Sequence, residues 1–166
     1  MIETAVLGFG SNKGNRLLNI KKAVKALSLN KDLNLLAVSK IYETEPWGYS
    51  EQKCFLNCAA VFLCRLNPAE LLEFIKKYEL EAGRKSSIKW QSREIDIDIL
   101  FYGNRVIRAN RLNVPHPYLH QRNSVLAPLV ELIPGFKHPL LGKSIKSLYS
   151  TSKDKCTVNE LNQVDK

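Results

Sequence analysis

Between Ser92 and Tyr102 the chain reads SREIDIDILFY, in which Ile95, Ile97 and Ile99 alternate with Asp96 and Asp98 before an apolar aromatic run. A period of two marks a β-strand with one buried face, so this segment has to lie in a sheet with its isoleucines against a core. The other face then carries two carboxylates roughly 6.6 Å apart along the backbone, which repel unless a cation stands between them. Oxygen ligands so spaced suit Mg²⁺, which keeps several waters and shares the rest of its shell with substrate phosphates, and two ions roughly 4 Å apart can be bridged this way. Taken alone, such a strand is more often a solvated sheet face paired with lysines, since short motifs of this kind recur without function.

The neighbours favour the metal. Immediately before the strand, GRKSSIKWQSR holds Arg84, Lys85, Lys89 and Arg93 around Trp90. Arginine forks and lysine charges beside a carboxylate pair suit a polyphosphate chelated by Mg²⁺ and clamped from its far side, which points to phosphoryl transfer. A second pair lies on FLNCAAVFLCRL, where Phe55 and Asn57 share a strand face. An amide in an apolar run needs partners and a ring offers a stacking surface, so the two can read a flat heterocycle; tying down a loop is the alternative. The loop before them, with Pro46, Trp47, Gly48 and Tyr49, is long enough to act as a lid over a ligand.

The rest of the chain supplies a frame. An apolar strand from Ile2 to Phe9 leads through GSNKGN into a helix with Leu17, Ile20, Val24 and Leu27 at helical spacing and Asn15 as cap. Further strands are predicted over about Leu33–Glu43 and Phe55–Leu66. A helix follows, marked by Asn67 as cap, Pro68 in its first position, Glu70 three residues after the cap and Gly83 at its end. The strand of paired aspartates turns at Gly103-Asn104 toward Val106-Ile107. The order βαββαβ predicts an α+β, ferredoxin-like sandwich with a mainly antiparallel sheet and two helices on one face. C-terminal extra helices and loops from the proline-punctuated stretch Arg108–Tyr149 are expected to cover an edge. Residues 1–149 form one expected domain; the polar tail 150–166 lacks the apolar content to pack and is expected to fray.

At 166 residues, 45% hydrophobic, the chain is large enough for one core. No apolar run approaches the roughly 20 residues of a membrane helix and the N-terminus lacks a secretory signal, so a cytoplasmic protein without a membrane partner is expected. Cys54, Cys58, Cys64 and Cys156 form no C-x-x-C pair, which argues against zinc and disulfides. The net charge of +9 calls for an anionic partner without naming it.

Several short stretches in order, GFGSNKGNR, IYETEPWG, FLNCAAV, ELEAGR, REIDIDIL, RLNVPHP and VLAPLVELIP, resemble the 6-hydroxymethyl-7,8-dihydropterin pyrophosphokinases of folate biosynthesis. The resemblance implies transfer of diphosphate from ATP to a pterin alcohol with release of AMP. It implies two Mg²⁺ ions on Asp96 and Asp98, with Arg84, Arg93 and Trp90 closing on the phosphates. His116 and Arg122 would contact phosphate; Glu79, Ile99 and Arg111 would complete the nucleotide site. Thr44, Pro46, Trp47, Phe55 and Asn57 would hold the pterin. Read without the family, His116 in VPHP is a structural histidine.

Three departures stand out. Gln91 and Ser92 replace the family's usual Gly-Pro, Glu45 replaces a frequent proline, and Ser124 stands where a phenylalanine usually walls the pterin. Ser124 is expected instead to cap the following helix. A different acceptor alcohol is one alternative. A basic RNA-binding ferredoxin-like domain is the other, opposed by the missing aromatic RNA-binding run and by carboxylates that would repel phosphate. Small-molecule substrates without nucleic acid are therefore expected.

Overall fold

A computed structural model describes residues 2–46, 52–83 and 92–161. The main sheet is antiparallel at every pairing, with strands β1 (Glu3–Ser11), β2 (Leu33–Val38), β3 (Tyr42–Thr44), β4 (Phe55–Cys64), β5 (Asp96–Tyr102) and β8 (Val158–Glu160). Its order is β5-β1-β4-β3-β8, with β2 also on β4. The expected second strand is thus two, because Val38 pairs with Ala60 but Tyr42 with Asn57, leaving one residue extra on the outer side. Ser39 fills the gap: its N–H donates to the Ala59 carbonyl at 2.9 Å and its hydroxyl accepts the Ala59 N–H at 3.0 Å.

Helices α1 (Arg16–Ser28) and α2 (Pro68–Glu81) cover one face and carry the caps expected of them. Asn15 accepts from the Leu18 N–H, and Asn67 with Glu70 closes a reciprocal capping box. Between helices and sheet lie Leu7, Phe9, Phe62, Ile20, Leu27, Leu71 and Ile75, joined by Ile95, Ile97 and Ile99 from β5.

The stretch after Arg108 does more than cover an edge. Helices α3 (Asn123–Leu132) and α4 (Ile145–Ser150) pack on the second sheet face, where Leu126, Leu129, Ile145 and Leu148 meet Val6, Ala59, Val61, Leu100 and Phe101. A strand face of that composition has to be buried, which is why the helices are there. A β-bulge makes the packing work: Leu7 pairs with Ile99 and Val6 with Phe101, so Leu100 is the extra residue and both it and Phe101 enter this second core.

The turn expected at Gly103 forms, with φ of 51° and Arg105 N–H donating to Tyr102 at 3.1 Å, and leads to β6 (Ile107–Arg108), which pairs with β7 (Asn113–Val114) in a separate ribbon. One further expectation is corrected. The tail does not fray up to Leu161: β8 lies on β3, and Leu161 N–H reaches the Ile41 carbonyl at 2.8 Å. Composition measures apolar burial, whereas this segment is held through its backbone, by the Lys40–Glu160 ion pair at 2.8 Å and by Leu161 packed on the first core. Among the described residues no helix is long and apolar enough to cross a membrane.

Candidate active site

The second sheet face is only half covered, and the open half carries the polar residues. Gly10 on β1 stands opposite Asp96 on one side and Asn57 on the other, and Gly8 stands opposite Asp98 and Ala59. Directly opposed residues share a face, so Gly10 leaves a side-chain-free lane between Asp96 and the Asn57 amide, whereas the space over Gly8 is filled by the Leu100 side chain of the second core. At roughly 4.8 Å per strand that lane is about 10 Å wide. Gly10 was missed as a site residue; its place next to Phe9, which faces the core, was the available signal.

At the carboxylate end, Arg93 Nη1 lies 2.7 Å from Asp96 Oδ2, and His116 Nε2 lies 4.0 Å from Asp98 Oδ2. The Leu100 carbonyl at the bulge accepts the His116 N–H at 3.0 Å, so the irregularity in β5 aims this ring. His116 Nδ1 accepts from the Tyr118 N–H at 3.4 Å, which leaves the neutral ring's proton on Nε2, toward Asp98. Burial and the nearby Arg122 push His116 down to about 4, so near neutral pH it is a neutral donor. Arg122 is half-buried beside Asp98 and Asp96 with its guanidinium over the Tyr118 ring at 5.7 Å.

Asn12, another residue not anticipated, holds Arg93 in place. Its side-chain oxygen accepts the Arg93 N–H at 2.7 Å and its own N–H donates to the Arg93 carbonyl at 3.1 Å. It also donates through Nδ2 to Gln52 at 3.1 Å. Glu79 is completely buried: one oxygen accepts the Ile97 N–H at 2.7 Å, the other pairs with Lys76 at 2.9 Å. Burial pushes its carboxyl up, with Lys76 pulling the other way. Glu79 therefore fixes the outer edge of β5. Because Ile97 directs its N–H outward there, Ile99, two residues on, presents its backbone on the same edge while its side chain sits in the first core.

At the other end, Asn57 Nδ2 donates to Thr44 Oγ1 at 2.7 Å, which fixes the amide with Oδ1 toward Gly10. Phe55 pairs with Thr44 across β4 and β3 on the same face, and Pro46 follows two residues after Thr44. The structure thus brings Arg93, Asp96, Asp98, His116 and Arg122 together, and Thr44, Phe55 and Asn57 together. It does not bring Arg111 there: that guanidinium pairs with Glu73 at 3.0 Å on the exposed side of α2. Trp47, Arg84 and Trp90 lie outside the described residues, as do Gly48, Tyr49, Lys85, Lys89 and Gln91.

Two departures acquire reasons. Glu45 accepts the Thr157 N–H at 3.1 Å and donates its own N–H to Thr157 at 3.4 Å, a bond that a proline could not make. Ser124 is not the cap of α3: the helix begins one residue earlier, with Arg122 in the cap position.

Desolvation, then repulsion from Asp96, pushes Asp98 up to about 6 although 40% of its side chain faces the cleft. A carboxylate so disfavoured is one whose charge a bound cation would favour. Among the described residues no third acidic, histidine or cysteine ligand joins the pair into a protein-built metal cluster. Two carboxylates alone suit Mg²⁺, which draws its remaining ligands from water and substrate. Because the folded protein holds this proton more tightly than the unfolded chain, whose value is 3.8, the penalty is absent below pH 4, grows to pH 6 and is complete above it. Asp98→Asn is therefore expected to raise the melting temperature of the metal-free protein at pH 8 by roughly 3 °C, or about 1 kcal/mol after discounting for exposure, and to leave it unchanged near pH 3.5. Melting curves in a chelator decide this; a variant less stable at pH 8 would contradict it.

A family model described as 7,8-dihydro-6-hydroxymethylpterin-pyrophosphokinase (HPPK) matches residues 6–134. A 2-amino-4-hydroxy-6-hydroxymethyldihydropteridine pyrophosphokinase of Aquifex aeolicus is 45% identical over 143 residues, 86% of this chain and 88% of its own. That of Bacillus subtilis is 41% identical, over 80% of this chain and 79% of its own. Among solved structures, Plasmodium falciparum HPPK-DHPS with pteroate superposes with a TM-score of 0.69 over 90% of this chain and 42% of that one; at 20% identity this shows the fold.

Proposed function

Because this chain belongs to the 7,8-dihydro-6-hydroxymethylpterin-pyrophosphokinase family, and so acts as a pyrophosphokinase in folate biosynthesis, we propose that the glycine-floored lane is where the transfer takes place. ATP lies with its phosphates at the Asp96–Asp98 end. The pterin lies flat at the other end, between Phe55 and the Asn57 amide, with Thr44 fixing that amide and with Pro46 and Trp47 as further pterin-binding residues. The observation that carries this is the register placing Gly10 between Asp96 and Asn57.

The hydroxymethyl oxygen attacks the β-phosphorus, the bond from that phosphorus to the α–β bridging oxygen breaks, AMP leaves with that oxygen, and the hydroxyl proton passes to water. Asp96 and Asp98 would hold two Mg²⁺ ions, which would supply charge neutralisation on the phosphates when bound. Arg93 and Arg122, joined by Arg84 and Trp90, orient the triphosphate, and His116 donates from Nε2. Glu79 shapes the nucleotide pocket by holding the β5 edge, along which the Ile99 backbone is available to the base. Arg111 reaches the nucleotide only by leaving Glu73. Such a site works by positioning and preorganised charge, and it needs no base from the protein.

An RNA reading loses its support, since single-stranded bases need an open sheet face and α3 and α4 bury half of this one. Incubating the protein with ATP, Mg²⁺ and 6-hydroxymethyl-7,8-dihydropterin should yield AMP in step with pterin diphosphate. Stoichiometric ADP would mean monophosphate transfer and would overturn the proposal.

A further inference from the structure

The tail lies beyond the residues that the family model spans, yet it reaches both ends of the lane. Helix α3 starts at Asn123, and its cap position is occupied by Arg122, with φ of −126°, ψ of 111° and no side-chain capping bond. A guanidinium only donates, so this residue cannot satisfy the exposed N–H groups of the first turn as Asn, Asp or Ser would. Asp154 does it from the tail: its Oδ2 accepts the Asn123 N–H at 2.7 Å, and its carbonyl accepts from Asn123 Nδ2 at 3.0 Å. Asp154 is held in turn by its N–H to Ser152 Oγ at 3.2 Å and by the Cys156 N–H to its Oδ1 at 3.0 Å. A negative charge at a helix N-terminus is favourable as well.

We infer that Asp154 is a positioning residue for Arg122: it caps the helix that Arg122 opens, and so fixes the backbone from which the guanidinium reaches the phosphates. The inference rests on the reading of Arg122 as a phosphate ligand. From Asp154 the tail continues through Thr157, bonded to Glu45, into β8 on the strand that carries Thr44. The cap is thereby anchored to the sheet rather than carried on a loose end.

The test is a double-mutant cycle on binding of a non-hydrolysable ATP analogue with Mg²⁺, measured by calorimetry. A lost cap corresponds to about a fivefold weakening, so Asp154→Ala is expected to bind the analogue about fivefold more weakly and to raise the KM for ATP while leaving that for the pterin unchanged. Asp154→Asn keeps an acceptor oxygen for the Asn123 N–H and should stay within about twofold of wild type. In an Arg122→Ala background, Asp154→Ala should have no further effect. An unchanged Asp154→Ala, or a loss as large in that background as in wild type, overturns the inference and leaves the proposed function standing. If Arg122→Ala itself binds the analogue normally, the phosphate role of Arg122 falls and the inference with it. Should Asp154→Ala fail to fold, Ser152→Ala removes the hydroxyl that accepts the Asp154 backbone N–H, and so loosens the backbone that presents the cap; it is expected to weaken binding about twofold with the same coupling, and no change there is equally decisive.

Discussion

Asp96→Ala and Asp98→Ala are each expected to lower kcat by on the order of a thousandfold while the protein stays folded. Both halves of that expectation come from the period of β5. The aspartates lie on the open half of the second face, whereas Ile95, Ile97 and Ile99 carry the strand's contribution to the first core. Removing a carboxylate therefore leaves the packing untouched. At position 98 it also removes a charge that the folded protein disfavours above pH 6. Turnover should collapse because, among the described residues, no third ligand joins this pair into a cluster that could hold a cation in place of a lost carboxylate, while Arg93 and Arg122 supply fixed positive charge beside it. Circular dichroism and melting curves read the fold, and AMP release reads the activity. Near-normal turnover by either variant would end the metal assignment.

Gly10→Val is expected to separate acceptor binding from nucleotide binding. Gly10 has ordinary extended backbone, and strands favour β-branched residues, so the sheet accepts the substitution. Its new side chain meets the site instead: a Cβ there lies 3.2 Å from Asn57 Oδ1 and 3.9 Å from the Phe55 ring. Overpacking of this kind costs about 2 kcal/mol, equivalent to roughly thirtyfold in the KM for the pterin. Affinity for an ATP analogue should remain within about threefold of wild type, because the proposed phosphate site lies beyond Asp96. Equal losses for both substrates would show that Gly10 does not floor the acceptor end. Asn57→Asp makes no such separation, since it adds charge to the same lane.

What could be read in the sequence was what local rules decide. The two capped helices and the alternation of β5 follow from side-chain chemistry within a few residues, so they emerge as expected, and with them the shared face of Asp96 and Asp98. What escaped depends on partners distant in the chain. The bulge at Leu100 is set by β1 and by the second core, and without it neither Phe101 nor His116 can be placed. Gly10 gains meaning only once β4 and β5 flank β1. Ser124 looked like a cap because a serine near a helix start usually is one; Asp154, some 30 residues away, takes that role. Arg111 shows the converse, a motif residue whose partner in this structure is Glu73 rather than the site.

The most direct check is to count Mn²⁺, as a stand-in for Mg²⁺, bound per chain at equilibrium with and without a non-hydrolysable ATP analogue. The expected result is two ions retained together with the nucleotide by the wild-type protein, and neither of them by Asp96→Ala/Asp98→Ala. Unchanged metal binding by the double variant would show that these carboxylates do not hold the cations, and the phosphate end of the lane would have to be assigned elsewhere.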